Sequence, residues 1–133
     1  MIILSIIFAG ALVWISAVVQ HVNNLTSVGS EWVMSDRSKP IGEDGLTGRL
    51  GRALRNNMDS ALMWVPIAAV ALHLGLASNV LTCAAVVYMV VRTSFTLGYW
   101  LKINMLRSLS WLIGMICIGV LAVEVVSAVL ARA

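Results

Sequence analysis

Long apolar stretches without charges dominate the chain, and short polar segments separate them. These stretches predict four helices, over about residues 2–22, 46–76, 80–101 and 105–131, and roughly 20 residues suffice to span a hydrocarbon core of about 30 Å. Turn-forming and charged residues concentrate in about 23–45, which predicts one long loop. The other connections are short, and short connections make consecutive helices antiparallel neighbours. The pattern therefore predicts an all-α integral membrane protein, a four-transmembrane-helix up-down bundle.

Composition agrees with a membrane environment. Of the 133 residues, 60% are hydrophobic and 11% are charged, and the mean hydropathy is +0.95. A soluble domain is usually about half apolar and about a quarter charged. Four spanning helices use nearly the whole chain, so we expect a single domain over residues 1–133. Met1–Gln20 has no basic segment before its apolar run, which is also longer than the core of a usual signal peptide, so we expect a retained helix.

Several residues inside the apolar runs are expected to have structural roles. Cys83 and Cys117 lie far apart and show neither metal-ligand nor redox spacing, so we expect two inert, buried thiols. Pro66 removes one backbone hydrogen bond and should bend the second helix. We expect His73 to be a packing or interface residue near the end of that helix, and Glu124 to support the structure.

The net charge of +3 does not indicate a nucleic-acid partner, because the cations are placed for a membrane. The first connection has in or beside it Arg37, Lys39, Arg49, Arg52 and Arg55, and the third is flanked by Arg92, Lys102 and Arg107. The second connection carries no charge, and the C-terminal end carries only Arg132. Cytoplasmic loops of membrane proteins generally carry an excess of Lys and Arg. The first and third connections are therefore predicted to be cytoplasmic, and both termini to be outside. A compact chain of this kind suits a bacterial inner membrane.

One face of the second predicted helix carries five polar side chains, which recur at helical spacing. They are Arg49, Arg52, Arg55, Asn56 and Asp59. Charged groups within a membrane are costly and usually face a cavity or a bundle interior. Arg49 fits a side chain that snorkels to the interface. Asn56 and Asp59 lie deeper along the helix, and we expect them to bind a ligand. The alternative is a structural ladder of salt bridges.

Two further polar groups lie on the third and fourth helices. Arg92 interrupts an uncharged stretch and shares a face with Phe95, Thr96 and Tyr99, although a tyrosine near a helix end is often only an interface residue. An arginine at the start of a helix opposes the macrodipole, so Arg107 is not placed for helix stability. Its neighbour Ser108 is either a helix cap or part of a site.

All three groups lie toward the predicted cytoplasmic ends of their helices, so they predict a pocket for a small anion. Arginine forks match carboxylates in bidentate fashion, and Asp59 offers a partner for an ammonium group. An arginine or hydroxyl beside a sulfur atom would favour its thiolate form, which is the nucleophile. These arguments indicate an anion pocket and do not select one ligand.

Residues 49–59 read Arg-Leu-Gly-Arg-Ala-Leu-Arg-Asn-Asn-Met-Asp. This stretch resembles the second-helix signature of the MAPEG family, the membrane-associated proteins in eicosanoid and glutathione metabolism. Arg92 to Tyr99, the pair Arg107-Ser108 and the following apolar helix with Gly114 are similar to the family's third and fourth helices. The resemblance extends over essentially the whole chain.

The resemblance implies a homotrimer in which glutathione, as co-substrate, binds between neighbouring subunits. It implies that Arg107 lies near the thiol and that Ser108 assists it. The implied binding residues are Arg52, Arg55, Asn56, Asp59 and Tyr99, to which the spacing argument adds Arg92. The implied function is a membrane-bound glutathione-dependent transferase or peroxidase that acts on a lipophilic electrophile reaching it from the lipid bilayer.

Three positions depart from the family pattern. Asp59 replaces the usual Glu, Leu54 stands where many members have His, and Phe95 stands where several have His or Tyr. These departures keep open a non-catalytic lipid-binding or scaffold protein of the same fold. A small multidrug exporter is a third class with four helices in a short chain, but such proteins typically depend on an acidic residue in the first helix, and this one has none.

Overall fold

The computed structural model describes residues 1–36, 38 and 44–132, and within these ranges the chain is helical and contains no strand. The helices are α1 (Ile2–Ser27), α2 (Ser30–Met34), α3 (Gly45–His73), α4 (Asn79–Trp100) and α5 (Asn104–Leu130). This confirms the all-α class. The first helix continues to Ser27 instead of ending near residue 22, and the short helix α2 occupies part of the predicted loop. Arg37 and Lys39, two of the cations used to predict orientation, lie outside the described residues.

Three of the described helices are long and apolar enough to cross a membrane. They are α1, α4 and α5, with mean hydropathies of 2.7, 1.7 and 2.5 over their most apolar windows. Helix α3 is longer than any of them, at 29 residues, but its first half carries the polar face described above. That α3 is a fourth spanning helix therefore stays a prediction.

Helices α3 and α4 form the centre of the molecule. Each of them contacts the other three long helices, whereas α1 and α5 make no contact with each other within the described residues. Helix α1 packs mainly on α3, and α5 packs mainly on α4. The central position of α4 explains why 44% of its apolar window is buried, against 17% for α1 and 28% for α5.

A stacked aromatic pair forms the core between α3 and α4. The rings of Trp64 and Tyr88 lie 3.9 Å apart with their planes 7° from parallel. The Trp64 indole N–H donates to Ser5 Oγ of α1 at 3.0 Å, and the Tyr88 hydroxyl and Ser60 Oγ are 2.9 Å apart in a hydrogen bond. Both polar ends of the pair are therefore satisfied, as burial in a low-dielectric interior requires.

The structure corrects one expectation about the cysteines. Cys117 is buried as predicted, but Cys83 is exposed on the surface of α4. The buried face of α4 in this region contains Leu81, Ala84, Ala85 and Tyr88, and helical periodicity turns residue 83 away from it. Helix α3 continues through Pro66 without interruption, so the expected bend stays a prediction.

We expect Trp64→Ala to lower the free energy of unfolding by about 3–5 kcal/mol, because it removes a fully buried ring and its indole hydrogen bond. Chemical unfolding in detergent micelles measures this change. The matched control is Trp14→Ala, since Trp14 on α1 is 68% exposed. Equal losses in the two variants would contradict a core centred on Trp64.

Candidate functional site

Two adjoining cavities lie at the end of the molecule where α3 begins, α4 ends and α5 begins, which we call the basic end. The first cavity has a volume of about 430 Å³ and is lined by Asp44, Gly45, Arg49, Arg52, Gly98, Tyr99, Lys102, Asn104 and Arg107. The second has about 390 Å³ and is lined by Arg52, Asn56, Phe95, Tyr99, Arg107, Ser108 and Trp111. The two cavities share Arg52, Tyr99 and Arg107, so they act as parts of one site.

The first cavity is strongly basic. Arg49, Arg52, Lys102 and Arg107 contribute four cations to its wall, and Asp44 contributes a carboxylate. Like charges gathered in a partly enclosed space repel one another, and a bound anion relieves this repulsion. Because the first cavity lies at the ends of the helices, it is also within reach of water. The arrangement suits a water-soluble ligand with more negative than positive charge.

The second cavity combines hydrogen-bond donors with an aromatic wall. Arg52, Arg107, Asn56 and Ser108 supply polar groups, while Phe95 and Trp111 supply apolar surface. No described residue that lines this cavity carries a carboxylate. Such a wall accepts an anionic or readily ionised group beside an apolar one, which is the combination needed to bring a charged nucleophile to a lipophilic partner.

Aromatic contacts hold Arg107 in place. Its guanidinium carbon lies 5.1 Å from the centre of the Tyr99 ring, within the range of a cation–π interaction. The Tyr99 ring meets Phe95 edge to face at 5.1 Å, and Phe95 is only 2% exposed. The buried phenylalanine thus supports the tyrosine, and the tyrosine supports the arginine.

The turn between α4 and α5 brings these groups together. The Ile103 backbone N–H donates to the Gly98 carbonyl at 2.8 Å, and the Leu101 N–H donates to the Leu97 carbonyl at 2.8 Å. Lys102 adopts the left-handed backbone conformation, with φ of 62°. These bonds satisfy carbonyls at the end of α4 and reverse the chain within three residues. Arg107 then lies beside the last turn of α4.

A buried arginine network lies directly behind the second cavity. Arg92 is 3% exposed, and its guanidinium donates to Asn57 Oδ1 at 2.6 Å, to the Asn56 carbonyl at 3.1 Å and to Asn56 Oδ1 at 3.3 Å. The Asn57 side-chain amide in turn donates to Ser16 Oγ at 2.9 Å and to Thr96 Oγ1 at 3.0 Å. In the described part of the chain, no carboxylate pairs with Arg92.

This network fixes the orientation of Asn56. Arginine has only donors, so the Asn56 oxygen faces Arg92 and the Asn56 amide N–H groups are left for the cavity. A further contact, 4.4 Å from the Arg92 guanidinium to the centre of the Phe95 ring, ties the same arginine to the aromatic wall. Arg92 lines neither cavity, and its contacts support residues that do.

A family model described as the MAPEG family matches residues 1–127. The chain belongs to the MAPEG family. Neither the curated proteins nor the solved structures give a match. The matched range contains every residue of both cavities, and together with the apolar helices it establishes an integral membrane protein of this family.

The structure brings together five of the residues that the MAPEG resemblance and the spacing predicted, which are Arg52, Asn56, Tyr99, Arg107 and Ser108. Arg55 and Asp59 are exposed on α3 and line neither cavity. Ser108 does not cap α5, because that helix begins at Asn104 with Ile103 at the N-cap. The capping interpretation of Ser108 was therefore wrong.

Sequence reasoning missed several residues that line the two cavities, which are Asp44, Gly45, Gly98, Lys102, Asn104 and Trp111. Trp111 follows Arg107 by four residues, so helical spacing could have placed it on the same face. Asn104 and Gly98 gave no such signal, because their positions depend on how tightly the chain reverses between α4 and α5. Within the described residues, no group of three or more His, Cys, Asp or Glu side chains can hold a metal ion.

We expect Arg92→Met to lower the free energy of unfolding by about 2–4 kcal/mol, because it leaves buried acceptors of Asn56 and Asn57 without donors. Unfolding by denaturant in detergent micelles provides the measurement. Arg132→Met is the control, since Arg132 is exposed and its hydrogen bond to the Leu74 carbonyl lies at the surface, so its loss should change stability by only about 0.5 kcal/mol. An Arg92→Met protein as stable as the control would contradict a network that holds the helices together.

Proposed function

We propose that this MAPEG protein is a membrane-bound glutathione-dependent transferase that acts on a lipophilic electrophile. The observation that carries the proposal is the convergence of Arg52, Asn56, Tyr99, Arg107 and Ser108 on one cavity. These side chains come from three helices, and the described wall that they form has no carboxylate. Glutathione serves here as co-substrate, and the family is associated with glutathione.

The donor set fits the charges of glutathione, which carries two carboxylates, one ammonium group and a thiol. The forks of Arg52 and Arg49 match carboxylates in bidentate fashion, and the oriented amide of Asn56 adds a neutral donor. Asp44 lines the first cavity and offers a carboxylate for the ammonium group. The two cavities, of about 430 and 390 Å³, share three lining residues, and in this proposal glutathione extends across both.

Arg55 and Asp59 enter the proposal through a second subunit. Both are exposed on a helix that lies among apolar membrane helices, and charged groups facing lipid are costly. A homotrimer, as the family resemblance implies, would cover this face and bring Arg55 and Asp59 of one subunit to the glutathione site at the interface. In the same proposal, Asp59 offers a second carboxylate partner for the ammonium group.

The proposed chemistry begins with ionisation of the glutathione thiol. A guanidinium close to the sulfur stabilises its negative charge, and we assign this role to Arg107, with Ser108 donating a hydrogen bond to the same atom. The proton passes to water. The sulfur lone pair then forms a bond to the electrophilic carbon of the substrate, and the electrons of the broken bond leave with the displaced or opened group.

The same thiolate would support peroxidase chemistry. Attack on a lipid hydroperoxide transfers one oxygen to sulfur and releases the lipid alcohol. A second glutathione then displaces this oxygen as water and leaves glutathione disulfide, so that two thiols supply the two electrons. Both reactions need a lipophilic substrate next to an ionised thiol. In this proposal the aromatic wall of Phe95 and Trp111 supplies the apolar surface on which that substrate binds.

The proposal includes a topology. Helix α3 acts as the fourth spanning helix of an up-down bundle, the basic end faces the cytoplasm, and both termini are outside. The cations Arg49, Arg52, Lys102 and Arg107 at one end support this orientation through the positive-inside rule. A cytoplasmic basic end gives the site access to water-soluble glutathione, and a bacterial inner membrane is the proposed location.

A second candidate function is non-catalytic lipid binding by the same fold. The observation that favours it is an apolar cavity of about 390 Å³ between α1 and α3. It is lined by Gly10, Val13, Met58, Ala61, Leu62, Val65 and Pro66. This cavity shares no lining residue with the basic end, so it supports lipid binding independently of any glutathione site.

Difference absorbance of the thiolate, recorded while purified protein in detergent is titrated with glutathione, tests the transferase proposal. We expect a saturable thiolate signal in the wild type and its loss in Arg107→Ala, because the cation that stabilises the charge is removed. Arg132→Ala removes a cation at the opposite end of the molecule and should keep the signal.

Two results would count against the proposal in different ways. A full thiolate signal in Arg107→Ala would remove the assignment of Arg107 while keeping a glutathione site. A wild type without a signal at saturating glutathione, yet able to bind a lipophilic ligand, would favour the lipid-binding candidate.

A further inference from the structure

Gly98 makes an unusually close helix-to-helix contact at the basic end. It lies buried in the last turn of α4, and its Cα faces the backbone of α5. A Cβ atom added at this position would lie 2.9 Å from the Arg107 backbone nitrogen, 3.2 Å from its Cα and 3.3 Å from its Cβ. Two of these three atoms belong to the backbone, so a rotamer change cannot relieve the contact. Helix α5 would have to move.

Other glycines of the same hairpin show that this contact is specific. A Cβ added at Gly119 on α5 meets nothing within 4 Å. At Gly114 it would meet only side-chain atoms of Arg92 and Val91, at 3.6 and 3.7 Å, which is ordinary van der Waals contact. The absence of a side chain at residue 98 therefore determines how closely α5 approaches α4 at Arg107, which lines both cavities.

The same turn fixes Arg107 through a short chain of hydrogen bonds. The Ile103 N–H donates to the Gly98 carbonyl at 2.8 Å, and the Arg107 N–H donates to the Ile103 carbonyl at 3.1 Å. The backbone of Arg107 is thus set by Gly98 through contact and through these bonds. The position of the Arg107 guanidinium is fixed by Tyr99, the residue after Gly98, whose ring centre is 5.1 Å away.

We propose that Gly98 is a positioning residue that sets Arg107 for ionisation of the glutathione thiol. The inference rests on the proposed function, because it explains the placement of Arg107, which that function assigns to the glutathione thiol. Hydrogen bonds and short-range charge interactions weaken steeply with distance and angle. A displacement of α5 by a fraction of the contact distance would therefore reduce thiolate formation while leaving the cavity walls that α3 and α4 supply in place.

The test compares the pH dependence of the thiolate signal at saturating glutathione in the wild type, Gly98→Ala and Gly119→Ala. We expect Gly98→Ala to raise the pKa of the bound thiol by about one unit, which is a tenfold lower thiolate-to-thiol ratio. Gly119→Ala adds the same methyl group to the same hairpin in open space, and its thiol should titrate like that of the wild type. Elution volume and thermal unfolding in detergent establish that each variant is folded.

A double variant separates action through Arg107 from a direct effect of the new methyl group on the cavity. The thiol bound by Arg107→Ala should still ionise at higher pH, and if Gly98 acts through Arg107, adding Gly98→Ala should cause no further loss of ionisation there. A second, additive decrease would show that Gly98 acts elsewhere and would overturn the proposal. A folded Gly98→Ala protein with an unchanged thiol pKa would overturn it too, while the transferase proposal would stand.

A readout without glutathione keeps the two proposals distinguishable. The Arg107 guanidinium lies 5.1 Å from the centre of the Tyr99 ring, so the chemical shift of its side-chain N–H resonance senses the ring current. This resonance is assigned by its loss in Arg107→Ala. We expect this resonance to move in Gly98→Ala and to stay in place in Gly119→Ala; no movement in Gly98→Ala would overturn the positioning role. Should Gly98→Ala not fold, Tyr99→Leu removes the second contact, and an unchanged thiol pKa there would contradict placement of Arg107 by the last turn of α4.

Discussion

The buried guanidinium of Arg92 is the interaction on which the arrangement of the helices depends. It binds two consecutive residues of α3, and through Asn57 the same network reaches Ser16 on α1. Between helices surrounded by lipid, burial of apolar surface supplies little net attraction, so packing and interhelical hydrogen bonds carry more of the association. One side chain of α4 thus joins three helices and also orients Asn56 at the cavity.

The packing order of the helices explains why the site lies at one end. Helices α3 and α4 occupy the centre, and α5 packs mainly on α4 and to a smaller extent on α3. Deeper in the molecule the space between α3 and α4 is filled by Trp64 stacked on Tyr88. At the basic end the helices carry arginines beside Phe95, Tyr99 and Trp111, and the repulsion among the charges and the length of their side chains keep open the space that the stacked rings close elsewhere.

Much of the fold was predictable from the sequence, because apolar runs of sufficient length determine helices in a membrane protein. The extension of α1 to Ser27 and the helix α2 were not, since their polar residues match a loop by composition. Helical spacing correctly grouped Arg52 with Asn56, and the shared position of Arg107 and Ser108 at the start of a helix correctly grouped those two. Helical spacing grouped Arg92 with Tyr99 equally well, yet the first points into the core and the second lines the cavities. Spacing says which residues share a face of a helix, and only the packing partners say what that face meets.

Asn57 gives the Arg92 network a consequence beyond geometry. Its amide supplies hydrogen bonds but no negative charge, so the positive charge of Arg92 is solvated without being neutralised. In a medium of low dielectric constant, such a charge is felt over longer distances than in water. The interior of this protein therefore behaves as a fixed electrostatic source behind Asn56 and Phe95. A substitution of Asn57 by aspartate would cancel that source, but it would also replace the amide donors to Ser16 and Thr96 with an acceptor. One side chain therefore sets both the local potential at the cavity and the architecture of the network behind it.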